Sequence, residues 1–556
     1  MAEPTLYESV VARGRLVAPK PTARATAAVV LWRREAGGEL QVYWLRRHPA
    51  MRFMGGWHAF PGGAVAPEDG EPGAGALPPW IAGWPRGLDS GSATGAMPET
   101  LTAGLSPLPP DGSPALVAAT FRELFEETGL LPAVAGEGAG GGPDPGGLEE
   151  ARRALLAGQI RFADAVRELG VTLDASRLVF AGRWLTPPFS PLRFDNRFFL
   201  LEHPLGASEP TLSPEAVAAE WLRPAAAVAS WRRGEAFAAP PILHLCRVLA
   251  EDGVERGLPR LRHPEEENLG PFRRIELRPG VVMLPLATAT LPPATHTNAY
   301  LVGPPGGGEA VLIDPGTPFA DEGERLEAAV AAAAERGQRL GAVWLTHHHP
   351  DHVGAAARVA ERFGVPVAAH RATAERLAAR GVRVTRRLED GERIALAGAT
   401  AGGANGPAPL TLRVVHTPGH APGHLCFLEE GLGSLLAGDL VSAVSTVVID
   451  PPEGDMDAYL ASVERVRGLR PRVLLPGHGP PLVDPDGALR EVVEHRLWRE
   501  ERVLAAWRSG IRRPAEMLPA VYDDAPREVW PLAERQVLAH LRRLAGAGTI
   551  DASEIG

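Results

Sequence analysis

The sequence predicts a multidomain α/β protein with a helical C-terminal end. Three observations lead there. Its 556 residues, at roughly 150 per domain, suffice for about three or four domains. Strand-like and helix-like patterns alternate in two long stretches, divided at residues 253–274 by a charged, proline-containing, poorly periodic segment, GVERGLPRLRHPEEENLGPFRR. From Gly487 on, strand patterns give way to helical ones that end in LAERQVLAHLRRLAGAGTID.

Composition bounds the answer. Apolar residues make up 45% and charged residues 22%, which excludes a disordered, collagen-like or coiled-coil chain. With 57 basic against 67 acidic residues the net charge is −10, so the whole chain is no electrostatic glue for nucleic acid or anionic membrane. Lys20 is the only lysine, and with 63 Gly and 55 Pro this bias reads as a GC-rich genome. Two cysteines, Cys246 and Cys426, cannot build a disulfide framework, so a reducing setting is expected. Glu3 and Glu8 with no apolar run argue against a signal peptide, and the uncharged stretch after Gly280 is broken by Pro285, Pro292 and Pro293. The expectation is a soluble, cytoplasmic protein without a membrane span.

The elements follow in order. Apolar runs at 27–32 and 41–45 read as paired strands. A Gly/Pro-rich stretch, 71–114, precedes a helix over 115–131, and 135–147 reads as loop. After the divider VVMLPL, AYLVG and AVLIDPG are successive strands, then an Ala-rich helix covers 322–338 and the strand AVWLTH follows. No repeat of fixed period occurs. The domain plan is an N-terminal tail (1–23), a first domain (24–252) with insertion 71–114, a linker (253–274), a second domain (275–484) and a C-terminal domain (485–556).

The first domain carries Phe60-Pro61-Gly62-Gly63 and, after the insertion, Arg122-Glu123-Leu124-Phe125-Glu126-Glu127-Thr128-Gly129-Leu130. On a helix Glu123, Glu126 and Glu127 share one face. Three clustered carboxylates repel unless a cation compensates, and Mg²⁺ takes such oxygen ligands. Arg122 can hold one carboxylate in place, Gly129 can end the helix, and Gly62 and Gly63 let backbone approach closely. The string resembles the Nudix hydrolase signature, G-x5-E-x7-REUxEExGU, with its second half matched fully and the insertion as a departure. Counting on from Gly63 reaches Asp69, beside Glu68, and leaves the early acid open. FMGGWHAFPGG and WLTPPFSPLRFDNRFFL also resemble the subgroup that includes peroxisomal coenzyme A diphosphatases, and the likeness covers most of 24–250. It implies an α/β/α sandwich that cleaves X–O–P–O–P–Y with Mg²⁺ (or Mn²⁺). Glu126 and Glu127 are implied as ligands, Glu123 as ligand or base, Arg122 as orienter, and Gly62 and Gly63 at the substrate.

The second domain carries His347-His348-His349-Pro350-Asp351-His352 after a strand. Alternate imidazoles can face one metal while Asp351 and His352 offer oxygen and nitrogen to another. HTPGHAPGH (His416, His420, His424), LLAGD (Asp439) and LLPGH (His478) follow, each just after a predicted strand. This ordered set, with the turn IDPG at 313–316, resembles the metallo-β-lactamase superfamily. The likeness implies an αββα sandwich with two Zn²⁺ (or Fe or Mn). His347, His349 and His420 are implied on one ion and Asp351, His352 and His478 on the other, with Asp439 bridging. Asp351 would orient the nucleophilic water and accept its proton. His424 is read as contacting substrate or supporting the ligands, and His348 and His416 as structural.

Residues 495–550 resemble the winged-helix-like tail of the subgroup that includes a mitochondrial β-lactamase-like endoribonuclease. Trp498, Val503, Leu504 and Trp507 recur at helical spacing and read as packing against the preceding sheet. Arginines at 496, 499, 502, 508, 512, 513, 542 and 543 interleave with acids, which favours a mixed-charge surface over a phosphate-binding face. The combined expectation is a bifunctional hydrolase. Its Nudix half would cleave a nucleoside-diphosphate-linked compound, first coenzyme A or acyl-CoA, and its second half a thioester or other ester. The alternatives are an RNA-directed nuclease with a nucleotide-clearing Nudix head, RNA being less favoured, and a non-catalytic nucleotide sensor or RNA-binding module. The sequence sets no oligomeric state.

Overall fold

The computed structural model describes residues 23–51, 54–70, 77–88, 114–134, 144–186, 190, 192–263, 275–399 and 408–555. Most of the N-terminal tail, the bulk of the insertion 71–114 and the second part of the linker lie outside the described residues. The chain divides into two compact units after Asn268.

The first unit is built on a mixed sheet ordered His58–Ala59, Leu40–Arg47, Arg24–Arg34, Phe194–Glu202, Val179–Leu185, with Gly62–Ala64 paired to Arg24–Arg34 and Ala216–Leu222 to Leu40–Arg47. The strand Arg24–Arg34 is buried over seven successive residues because both faces of the sheet are covered. Ala27, Val29 and Leu31 meet Phe121, Leu124 and Phe125 of the helix Pro114–Thr128. Ala28, Val30 and Trp32 meet Leu245, Val248 and Leu249 of the helix Pro240–Arg262. Alternation along one strand thus makes two cores and an α/β/α sandwich. The signature helix stops at Thr128, and Gly129, at φ 73°, turns the chain.

The linker differs from its sequence reading. Residues 254–262 are helical: Gly253, at φ 72°, is itself non-helical and breaks Pro240–Arg262 into two helical segments at a kink. Val254, Gly257 and Leu261 then recur at helical spacing and are buried, so this segment belongs to the first unit.

The second unit contains two sheets. The larger runs Ile275–Arg278, Val281–Ala287, His296–Val302, Gly308–Ile313, Gln338–Trp344, Val367–Ala369, Arg386–Arg387. The smaller runs Arg393–Leu396, Leu410–His416, Leu425–Glu429, Ser434–Gly438, Val473–Pro476. Leu326 and Val330 of the helix Ala320–Glu335 pack with Leu284, Leu312 and Val343 of the first sheet. Tyr459 and Val463 of Met456–Gly468 pack with Val415, Leu435 and Leu474 of the second. Trp344 meets Phe427 between the sheets, ring centroids 5.2 Å apart, completing an αββα sandwich.

The helices Pro485–Arg508, Pro514–Val521 and Trp530–Gly546 close the chain. Val503 and Trp507 pack with Met517, Leu518, Val537 and Leu541 in a core of the tail's own rather than against a sheet, while Trp498 stays 40% exposed. Among the described residues no helix is long and apolar enough to cross a membrane.

Candidate metal centres

In the first unit Arg122 organises the signature. Its guanidinium is bidentate to Asp69, Nε to Oδ1 at 2.7 Å and Nη2 to Oδ2 at 2.9 Å, and Nη2 also donates to the carbonyl of Ala64 at 2.9 Å. Asp69 is buried, so of the two acids left open by the spacing it is Asp69 that meets the arginine. Nη1 donates to Glu123 at 2.9 Å and to Glu126 at 3.0 Å, and Glu127 accepts from the backbone N–H of Gly62 at 2.9 Å. A Cβ at position 63 would lie 2.3 Å from the Glu123 carboxylate, so a larger residue there would displace that side chain. Gly62 and Gly63, expected at the substrate, here shape the glutamates.

The three glutamates do not form a compact ligand cluster among the described residues, since two of them turn onto Arg122. Their electrostatics nonetheless suit a cation. Burial pushes Glu123 up to about 7 and Glu127 up to about 8, with the neighbouring carboxylates adding to the shift. A hard divalent ion would remove that penalty, so the donor set fits Mg²⁺ or Mn²⁺.

In the second unit the residues named from sequence converge at strand ends. Nδ1 of His349 lies 3.0 Å from Nε2 of His347 and 2.9 Å from Nε2 of His420. Asp439 sits between this trio and a second group: Oδ2 is 3.5 Å from His420 Nε2, and Oδ1 is 3.3 Å from His352 Nε2 and 3.5 Å from His478 Nε2. Asp351 lies 3.5 Å from the same His478 nitrogen. Among the described residues, compact groups of possible metal-holding atoms are His347/His349/His420, His347/His352/Asp439, Asp351/His352/His478 and, to one side, His348/His349/Glu453. The fit to metal is direct. The buried Nε2 of His352 and Oδ1 of Asp439 find no hydrogen-bond partner, which is costly unless a cation completes them. Burial holds His347 well below its usual range and His420 down to about 4, the neutral form a metal requires.

The other ring nitrogens are occupied, which aims each imidazole. His347 Nδ1 meets Thr346 Oγ1 at 2.9 Å, and that hydroxyl donates to Asp314 at 2.6 Å. His352 Nδ1 donates to Asp314 at 2.7 Å, His420 Nδ1 to the carbonyl of Val448 at 2.7 Å, and His478 Nδ1 to that of His296 at 2.9 Å. Asp314 lies in the left-handed region at φ 50°, a turn that aspartate tolerates. Asp314, Thr346 and Glu453 escaped the sequence reading; the quoted IDPG turn was the one available signal, for Asp314.

Of the two roles expected of it, His424 takes that of supporting the ligands. Its Nδ1 meets Thr417 Oγ1 at 2.8 Å and its Nε2 accepts from the backbone N–H of Asp439 at 3.0 Å, so neither nitrogen is left for substrate. His424 positions Asp439. His348 Nε2 pairs with Glu453 at 2.7 Å, and His416 Nε2 donates to the carbonyl of Pro422 at 2.9 Å.

A Cβ on Gly477 would lie 2.7 Å from Asp439 Oδ1 and 2.8 Å from His352 Cε1. Gly477→Ala is therefore expected to lower bound metal per chain by at least half after dialysis, read by elemental analysis, while the first unit keeps its fold.

The αββα fold and its converging histidines and aspartates form donor sets able to hold metal ions. Family models match in the same order along the chain: the NUDT19 Nudix domain at residues 16–248, the metallo-beta-lactamase superfamily at 292–478, and the beta-lactamase-associated winged helix domain at 514–554. The chain is 30% identical over 292 residues to lactamase-like protein vrtG of Penicillium aethiopicum, covering 50% of this chain and 81% of that relative. It is 28% identical over 251 residues to the atrochrysone carboxyl ACP thioesterase of Aspergillus fumigatus, covering 42% and 70%. It is also 33% identical over 149 residues to the beta-lactamase-like protein 2 homolog of Drosophila melanogaster, covering 26% of this chain and 48% of that one, about half its length. The chain belongs to the metallo-β-lactamase superfamily, with a NUDT19-type Nudix domain before the lactamase domain and a winged-helix domain after it.

Proposed function

We propose that the chain is a two-headed hydrolase acting on acyl thioesters of nucleotide-linked carriers, acyl-CoA first. The observation that carries the reading is Asp439, whose two oxygens face two separate groups of buried nitrogen ligands. A site with two cations and a shared carboxylate suits hydrolysis of an ester or thioester, and a relative named a thioesterase supports the choice. In this reading His347, His349 and His420 hold one ion, zinc first or else iron or manganese. Asp351, His352 and His478 hold the other, and Asp439 bridges. The ions, when bound, supply an acidified water and polarise the carbonyl. With the ions bound, Asp351 would orient that water and accept a proton, and Asp314 and the Val448 carbonyl keep His352 and His420 turned inward.

In the Nudix half Glu126 and Glu127 hold Mg²⁺ or Mn²⁺, Glu123 serves as ligand or base, and Arg122 orients both Glu123 and Glu126 from its salt bridge with Asp69. The tail's arginines speak against RNA as substrate. Arg499 pairs with Asp524 at 2.9 Å, Arg502 with Asp523 at 2.5 Å, Arg512 with Glu554 at 2.7 Å and Arg543 with Asp457 at 2.8 Å. These four guanidiniums each face a carboxylate of the protein, which lessens the positive face they present.

Acyl-CoA incubated with the full chain tests both heads at once. Free thiol should appear and vanish in His349→Ala, while phosphoadenosine release should vanish only in Glu123→Gln. Turnover of neither product above these variants would sink the assignment.

A further inference from the structure

One of the histidines around Asp439, His420, takes its orientation from a short loop, residues 447–453, and a second, His349, lies beside it. The carbonyl of Val448 accepts from His420 Nδ1 at 2.7 Å. Glu453 places Oε2 4.0 Å from His349 Nε2 and Oε1 2.7 Å from His348 Nε2, and Arg376 lies 3.5 Å from that same Oε1. The loop belongs to no helix or strand, so its own backbone does not fix its register.

The C-terminal helices do. Gln536, on Trp530–Gly546, pairs its amide both ways with one residue: Oε1 accepts from Ile449 N–H at 3.2 Å and Nε2 donates to the Ile449 carbonyl at 3.1 Å. Arg496, on Pro485–Arg508, donates to the Val447 carbonyl and, at 2.9 Å, to the same Gln536 oxygen. Arg535 donates to the Asp450 carboxylate and to the Pro451 carbonyl. The carbonyls of 447, 449 and 451 thus turn to the tail while that of 448 turns to His420. Gln536 and Arg496 are only 6% and 2% exposed. Apolar packing would hold two surfaces together but would let the loop slide. Buried, directional contacts to named peptide groups fix its register, because a slip would strand several polar atoms without water.

We propose that the C-terminal helical domain is a working part of the metal centre: Gln536, Arg496 and Arg535 are positioning residues that set the register of loop 447–453 and, through the Val448 carbonyl, the rotation of His420. The proposal rests on the reading of His347, His349 and His420 as ligands of one ion.

The test uses the full chain loaded with Co²⁺, whose absorption reports ligand geometry, and chelator competition for affinity. Gln536→Met, which keeps length and burial but removes both amide contacts, is expected to weaken Co²⁺ binding by roughly 10–100-fold and alter its visible spectrum. Gln536→Met and Glu453→Gln should be non-additive in affinity, since both act through one loop. Leu541→Ala, in the tail's own apolar core, should lower the melting temperature and leave affinity unchanged. Unchanged affinity and spectrum in Gln536→Met would overturn the proposal, as would an equal loss of affinity in Leu541→Ala. Undiminished Co²⁺ binding in His349→Ala would overturn the ligand reading itself, and the proposal with it.

Discussion

Replacing Asp439 with asparagine is expected to lower kcat/KM for thioester hydrolysis by about 10³-fold or more, roughly 4 kcal/mol of transition-state stabilisation. The substitution preserves volume and removes one charge. Burial alone would push this carboxyl up, yet His352 and His478 outweigh it and hold Asp439 ionised well below the usual range. A neutral amide cannot counter two cations, and it would leave those histidines without their shared anion. The backbone N–H of Asp439 still donates to His424, so the turn itself should survive. Elemental analysis should find less than two equivalents of metal in the second unit. Thiol release within a few-fold of the parent enzyme would rule out the bridging role.

Glu127→Gln is expected to reduce diphosphate cleavage by about 10²–10⁴-fold. It should also change how stability depends on pH in the metal-free protein. Burial lifts the Glu127 carboxyl from 4.5 to about 8, with Glu123 adding to the effect. Between those values the folded state keeps a proton that the unfolded state has lost. Stability therefore falls as pH rises from about 4.5 through about 8. Glutamine has no proton to lose, so the variant should lose less stability over that window. Denaturant midpoints of both metal-free proteins at pH 5.5 and pH 8 read the difference, which cancels the histidines common to the two. Mg²⁺ should restore the parent at pH 8 and have little effect on the variant. An equal pH slope in the two proteins would contradict the role assigned to Glu127.

Much of the fold was legible because its signals are local. The run at 27–32 is apolar without alternation, as a strand covered on both faces must be, and it lies in the central strand Arg24–Arg34. The helix expected at 115–131 runs Pro114–Thr128. The one at 322–338 runs Ala320–Glu335, because the strand Gln338–Trp344 claims its last residue. Over 254–262 the divider is more than a linker for a physical reason: past the break at Gly253 a second helical segment, with Pro259 inside it, still buries an apolar face.

By itself the sequence determined the kinds of donor, their order and their attachment to strand ends. His347, His349, Asp351 and His352 fall within six residues, so one turn gathers them whatever the rest of the chain does. Only the tertiary structure decided what aims those donors. Asp314 reaches His352 across 38 residues, the Val448 carbonyl reaches His420 across 28, the His296 carbonyl reaches His478 across 182, and Gln536 reaches Ile449 across 87. Several of these partners are backbone carbonyls, which every residue possesses and no sequence pattern marks. Tertiary structure likewise paired Asp69 rather than Glu68 with Arg122 and turned both His424 nitrogens to protein partners, since both depend on which atoms the fold buries together.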